Sequence, residues 1–265
     1  MRQLQQPRLA DLIADRLRSD ILSGRYREGD VLRLSDGVFD DFTVSAPVMR
    51  EAIRVLENDG LLRTRRGNAG GAVVQLPTPR RIGEVIAMVL QARKVEPGDV
   101  NRALAQIEPI CASMCAERAD RSKTVLPALE QAIRKQLDDL DDPAAFMSNA
   151  RRFHEAIVES CGSETMIVAV GALEAIWSAH APPMWDDDVV AVADRARLRT
   201  AVAAHERIFE AIAAGDAVLA AALVREHGAV TTSASPESMD MEVVDASLVS
   251  HELRTPRVRL VRTCL

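Results

Sequence analysis

Between residues 43 and 76 a short capped helix stands directly before a glycine-centred pair of extended runs, and few folds accommodate that order. Ser45 is a good N-cap and Pro47 falls in the first turn, where a missing N–H costs nothing. Met49, Ala52, Ile53 and Leu56 then recur on one helical face up to Gly60. Leu61 to Arg66 and Ala72 to Leu76 read as two strands around Gly67, Asn68, Ala69, Gly70 and Gly71, a tip suited to positive φ. Upstream, Leu9, Leu12, Ile13, Leu17 and Ile21 mark a first helix stopped by Gly24, and Val38, Phe39 and Phe42 space out a short second one. Two short helices with a tight turn, followed by a hairpin, predict a winged helix-turn-helix.

The charges of this segment agree with that layout. Residues 1–76 hold 12 Arg, no Lys and 11 acidic residues, a net charge of +1, whereas the rest of the chain holds 21 basic and 28 acidic residues, a net charge of −7. Contact with nucleic acid is therefore expected of the first part alone. Arg50 and Arg54 lie one turn apart on the helix face opposite Met49, Ile53 and Leu56, and Arg63, Arg65 and Arg66 gather where the hairpin begins. Arginines in this setting can fork onto phosphate or guanine, a capped helix start offers free N–H groups to a phosphate, and a glycine tip lets backbone approach a minor groove.

Beyond Pro77, Thr78 and Pro79 the pattern is helical almost throughout, with breaks at Pro97–Gly98, Asp141–Pro143, Gly162–Ser163, Pro182–Pro183 and Gly215–Asp216. About six helices are expected, packed as a bundle through Ala, Leu and Val, since aromatic residues make up only 3% of the chain. From Ser233 onward helical periodicity stops and arginines accumulate, which reads as a tail without structure of its own. Cys111, Cys115, Cys161 and Cys264 form no CxxC pair and read as reduced thiols. No apolar run approaches the roughly 20 residues that cross a bilayer. The first residues lack the apolar core of a secretory signal, so a cytoplasmic location is expected.

Three of the five histidines can be placed relative to one another. His205 and His227 each lie 11 residues from Asp216. If the Gly215–Asp216 turn closes an antiparallel hairpin, both sit about 16 Å from it along their helices, at the same level. His154, on another helix, would complete a three-imidazole site for Zn, Ni or Mn. Unpaired histidines are more often ordinary surface or core residues, so spacing by itself leaves that alternative open.

The stretches LADLIADRLRSDILSGRYREGDVL, FTVSAPVMREAIRVLENDGLL and RTRRGNAGGAVV resemble the N-terminal domain of the GntR family of bacterial regulators. The resemblance implies DNA contacts at Ser45, Arg50 and Arg54, with Gly67 and Asn68 at the minor-groove tip. Ala46 departs from the pattern, since members commonly carry Arg there, and Arg33 stands where Pro is usual. RRFHEAIVESCGS and AHERIFEAIAAGDAVLAAALVREH resemble the C-terminal (FCD-type) effector domain of the FadR subfamily. That resemblance implies a metal held by His154, His205 and His227, assisting a carboxylate effector. The Asp that many members place one turn before the first His is Ala150 here, and neighbouring Asn149 points elsewhere around the helix. Arg102 aligns loosely with an effector-binding arginine of the family, and Glu108 reads as structural.

The chain is thus expected to be mainly α, in four parts. Residues 8–76 form a winged helix-turn-helix with a small β-hairpin wing, 77–82 a linker, 83–232 an all-helical ligand-binding and dimerisation domain, and 233–265 the tail. It reads as a homodimeric regulator, a repressor, that binds operator DNA through Ser45, Arg50, Arg54, Arg65, Arg66, Gly67 and Asn68 and answers a small organic acid without any membrane partner. Two other readings compete. One is a metal-dependent hydrolase built on the three histidines; the other is an interaction protein that uses the first domain without DNA.

Overall fold

The apolar stripe near the N-terminus folds as helix α1 (Leu9–Leu22), which buries Ala10, Ile13, Ala14, Leu17 and Ile21. These coordinates are a computed structural model that describes residues 8–32, 44–65, 71–184, 195–233 and 243–251. Helix α2 (Ala46–Asn58) sets Met49, Ala52 and Leu56 against α1, and Arg18 of α1 pairs with both Asp15 and Asp59. Strands β1 (Val31–Leu32), β2 (Leu62–Arg65) and β3 (Gly71–Val74) form an antiparallel sheet in the order β1-β3-β2, with Leu62 opposite Val74 and Arg65 opposite Gly71. Strand β1 goes beyond the sequence reading, because two residues are too short to display a period. Gly29, with φ +90°, makes the turn that brings β1 to β3, and its N–H donates to the Val74 carbonyl at 2.9 Å. The short helix expected around Val38, Phe39 and Phe42, and the tip residues Gly67 and Asn68, lie outside the described residues.

This first unit comprises Met1–Thr78; the second, Pro79–Leu265, is entirely helical among its described residues. Its helices are α3 (Pro79–Ala92), α4 (Pro97–Glu117), α5 (Arg121–Thr124), α6 (Leu126–Asp138), α7 (Pro143–Ser160), α8 (Glu164–Met184), α9 (Arg195–Ala214), α10 (Ala217–Ser233) and α11 (Ala246–His251). Helix α10 packs along α4, α8 against α3, and α7 against α6, around a core that includes Leu104, Leu129, Phe146, Phe153, Ile157, Ile176 and Ile208. The α3–α8 approach is close: a Cβ added at Gly83 would lie 2.7 Å from the Ala172 carbonyl oxygen. Among the described residues no helix is long and apolar enough to cross a membrane.

Two features depart from the periodicity reading. Helix α8 runs through Pro182 and Pro183 to Met184, and a break at Arg118–Asp120 divides what reads as one helix from Asp99 to Leu140. The stretch from 233 onward is not wholly a tail. Val244 and Val249 are fully buried, α11 packs on α3 and α8, and the Val244 N–H donates to the Val95 carbonyl at 2.8 Å. Asp245 donates its N–H to Nε2 of His180 at 2.8 Å, and Arg80 donates to the Val249 carbonyl at 2.9 Å. A six-residue helix has little intrinsic stability, and burial against partners distant in sequence supplies the rest.

Candidate functional site

Helices α7, α9 and α10 each bring one histidine to a common point. The Gly215 turn, at φ +77°, returns the chain so that α10 runs back beside α9, and Nε2 of His205 comes to 3.2 Å from Nε2 of His227. His154 of α7 stacks on His227 with ring centroids 5.2 Å apart. The three ligating nitrogens lie within 4.8 Å of one another. Phe153 lies flat against His205, centroids 4.4 Å apart, and holds the ring in place.

The residues behind these rings decide where their protons sit. Gln136 of α6 is completely buried, and its amide nitrogen donates to the carbonyls of Ala132 and Asn149, which leaves Oε1 facing Nδ1 of His205 at 2.7 Å. An amide oxygen only accepts, so His205 carries its proton on Nδ1 and presents a bare lone pair on Nε2. His154 does likewise by donating from Nδ1 to Glu108 of α4 at 2.9 Å. Burial, then the neighbouring His154 and His227, hold His205 well below its ordinary value. Burial and His154 lower His227 to about 3. His154 is also desolvated, but the charge of Glu108 and its hydrogen bond outweigh that, and its pKa is raised.

The donor set fits a divalent metal of the Zn, Ni or Mn kind. Two nitrogens bound to one ion at about 2.0–2.1 Å are about 2.9 Å apart at a right angle and about 3.3 Å apart at a tetrahedral one, and the 3.2 Å between His205 and His227 falls in that interval. Outer hydrogen bonds from each ligand's second nitrogen are what orient metal-binding imidazoles. The position one turn before His154 is Ala150, which packs on the core, and Asn149 spends its amide on Asp139 at 2.6 Å. Neither adds a ligand. Arg102 does not join the site: it is exposed on the first turns of α4 and pairs with Asp99 at 3.0 Å. Glu108 is not merely structural, since it fixes His154. Both Glu108 and Gln136 were detectable in the sequence, as polar residues on otherwise apolar stripes (Leu104, Cys111, Cys115 and Leu129, Ala132, Ile133).

Cys111, Cys115 and Cys161 are buried and free, and the Cys115 thiol donates to the Ile157 carbonyl at 3.2 Å. Burial, with Cys161 beside both, pushes the thiols of Cys111 and Cys115 up to about 12, so they are inert core groups.

In the first unit Ser45 occupies the N-cap position of α2 with φ −71° and ψ 148°, but its hydroxyl makes no capping bond and is exposed together with the first turn. Arg50 and Arg54 stand on the exposed face of α2, and Arg54 pairs with Glu51 at 3.3 Å. Arg63 and Arg65 project from β2 and line a shallow depression with Gly29, Val31, Thr64 and Val73. Arg66, Gly67 and Asn68 fall outside the described residues.

Comparison with known proteins accounts for both units. Residues 9–71 match the model for bacterial regulatory proteins of the gntR family, and residues 99–229 match the FCD domain. The galactonate operon transcriptional repressor of Escherichia coli (strain K12) is 26% identical over 219 residues, covering 80% of this chain and 91% of that protein. The HTH-type transcriptional repressor NanR of Enterobacter sp. (strain 638) is 24% identical over 189 residues, 70% of this chain and 71% of that one. A solved structure, Streptococcus agalactiae GntR, shares the fold with a TM-score of 0.61 at 20% identity, over 85% of this chain and all of its own.

Proposed function

The chain belongs to the GntR family of bacterial regulators, with an FCD domain as its effector module, and on that premise we propose that it is a homodimeric repressor relieved by a small organic acid. It is a DNA-binding transcriptional regulator responsive to a small metabolite, not an enzyme. A winged helix-turn-helix over residues 8–76 holds two operator half-sites as a dimer. The effector domain begins with α3 at Pro79, inside the segment 77–82 expected as a linker, and takes in α11 beyond the expected end at residue 232, and the protein works in the cytoplasm. Ser45 and the first turn of α2 take a phosphate, Arg50 and Arg54 enter the major groove, and Arg65 with Arg66, Gly67 and Asn68 serves the wing. The ligand alters the spacing of the two DNA-binding units and so the fit to both half-sites.

The observation that carries the effector reading is the convergence of His154, His205 and His227, the first two each ordered by a hydrogen bond from Nδ1. A divalent metal held there would offer positive charge to a carboxylate in a domain whose net charge is negative. A relative named for a galactonate operon supports an organic acid as the signal. The test is fluorescence anisotropy on the DNA upstream of the protein's own gene, with and without metal, across a panel of small carboxylic acids. An acid that releases DNA from the wild type, but not from a variant with all three histidines changed to Ala, supports the reading. Release that survives the triple substitution overturns it.

A further inference from the structure

Glu174, on α8, is a buried carboxyl that nothing in the fold accounts for. It is 8% exposed, and its Oε1 is sealed from solvent and meets no hydrogen-bond partner among the described residues. The charges that reach it belong to Glu108 on α4 and to Glu155 and Glu159 on α7, all acidic, with no lysine or arginine among them. Glu155 pairs with Arg152 at 3.1 Å and Glu108 with His154 at 2.9 Å, so each has an outlet that Glu174 lacks. The other glutamate buried among the described residues, Glu84, also leaves Oε1 without a partner, but its Oε2 pairs with Arg81. Burial first, then the three acidic neighbours, raises the Glu174 pKa well above the ordinary value. An apolar side chain would serve packing better, and an unpaired carboxyl kept in such a place marks a group waiting for a partner.

We propose that Glu174 receives a cationic nitrogen of the effector, whose carboxylate lies toward the three histidines, so that the signal is an amino-bearing carboxylic acid. This rests on the reading that the domain binds an organic acid. Glu108 joins the two ends: one of its oxygens accepts from His154, and its charge reaches Glu174. An ammonium group there gives the Glu174 carboxyl a charge-assisted hydrogen bond and offsets the surplus negative charge of Glu108, Glu155 and Glu159. A plain acid leaves Glu174 unpaired.

The experiment is calorimetric titration of the metal-loaded, full-length protein with matched acids: propanoate, lactate and alanine; butanoate, 4-hydroxybutanoate and 4-aminobutanoate; hexanoate and 6-aminohexanoate. At one chain length the amino acid should bind at least about tenfold more tightly than the plain acid, the worth of one hydrogen bond to a charged group. Glu174→Gln and Glu174→Leu should each remove that preference while metal content and affinity for the plain acid persist. Equal binding of plain and amino acids, a stronger preference for the hydroxy acid, or a preference that survives both substitutions overturns the assignment of Glu174 and leaves the organic-acid reading standing. Failure of every acid to bind the wild type overturns that reading, and this inference with it.

Discussion

His205 donates from Nδ1 to Oε1 of Gln136 across 2.7 Å, and both side chains are sealed from solvent. The bond fixes the tautomer that leaves Nε2 bare. Gln136→Leu keeps the volume and removes the acceptor, so metal affinity should fall by about 10- to 100-fold, as for other outer partners of metal-binding histidines. Competition with a chromogenic chelator measures it; an unchanged affinity would remove Gln136 from the site.

Metal loading should be lost on acidification from the His154 side. Desolvation lowers the His154 pKa, but the charge and hydrogen bond of Glu108 reverse the sign, and it stands above 6.5. Protons therefore displace metal from His154 before they reach His205 or His227, which are held low. Glu108→Gln removes the counter-charge, and the acid edge of loading should move to lower pH. An edge that stays in place, followed by metal analysis after dialysis between pH 5 and 8, would contradict the role of Glu108.

The metal-free protein should also weaken in acid on account of His227. Its pKa is depressed in the folded state, from 6.5 to about 3, by burial and then by His154, so the unfolded chain binds more protons in that window. Stability from this group is complete above 6.5 and is lost as pH falls toward 3. His227→Phe should flatten the decline of Tm with pH that the wild type displays over that range.

Arg50→Ala should weaken operator binding by about 1–3 kcal/mol if the side chain meets a base edge, or flatten the salt slope by about one unit if it meets a phosphate. The fold should tolerate the change, because Arg50 is exposed and α2 is anchored by Met49, Ala52 and Leu56. Anisotropy at several salt concentrations separates the two results, and no change in either quantity would take Arg50 out of the interface.

Val249→Asp places a carboxylate at a position with 0% exposure under α3 and α8, and should cost about 2 kcal/mol or more. A chain ending at residue 242 should likewise melt at lower temperature than the full chain. Equal melting temperatures for all three would mean that the segment around α11 contributes nothing to the second unit.

Much of this protein follows from local patterns. The stripe of Leu9 to Ile21, the Ser45–Pro47 helix start, the paired runs around Gly67 to Gly71 and the level placement of His205 and His227 about Gly215 are each set by residues within a few turns of one another. Propensity, capping and periodicity act at that range, so α1, α2, β2, β3, α9 and α10 appear where the sequence puts them, and the two histidines meet at 3.2 Å. Ser45 shows a finer limit, for it holds the cap position without making the capping bond.

What tertiary structure alone decided is which distant groups become partners. Gln136 meets His205 across 69 residues, Glu108 meets His154 across 46, and Asp245 meets His180 across 65. None of these pairings has a period, because each is selected by helix packing and by the cost of leaving a buried polar group unpaired. For the same reason a six-residue helix near the C-terminus takes shape: Val244 and Val249 are buried by α3 and α8, elements far from them in sequence, and burial supplies what local propensity lacks.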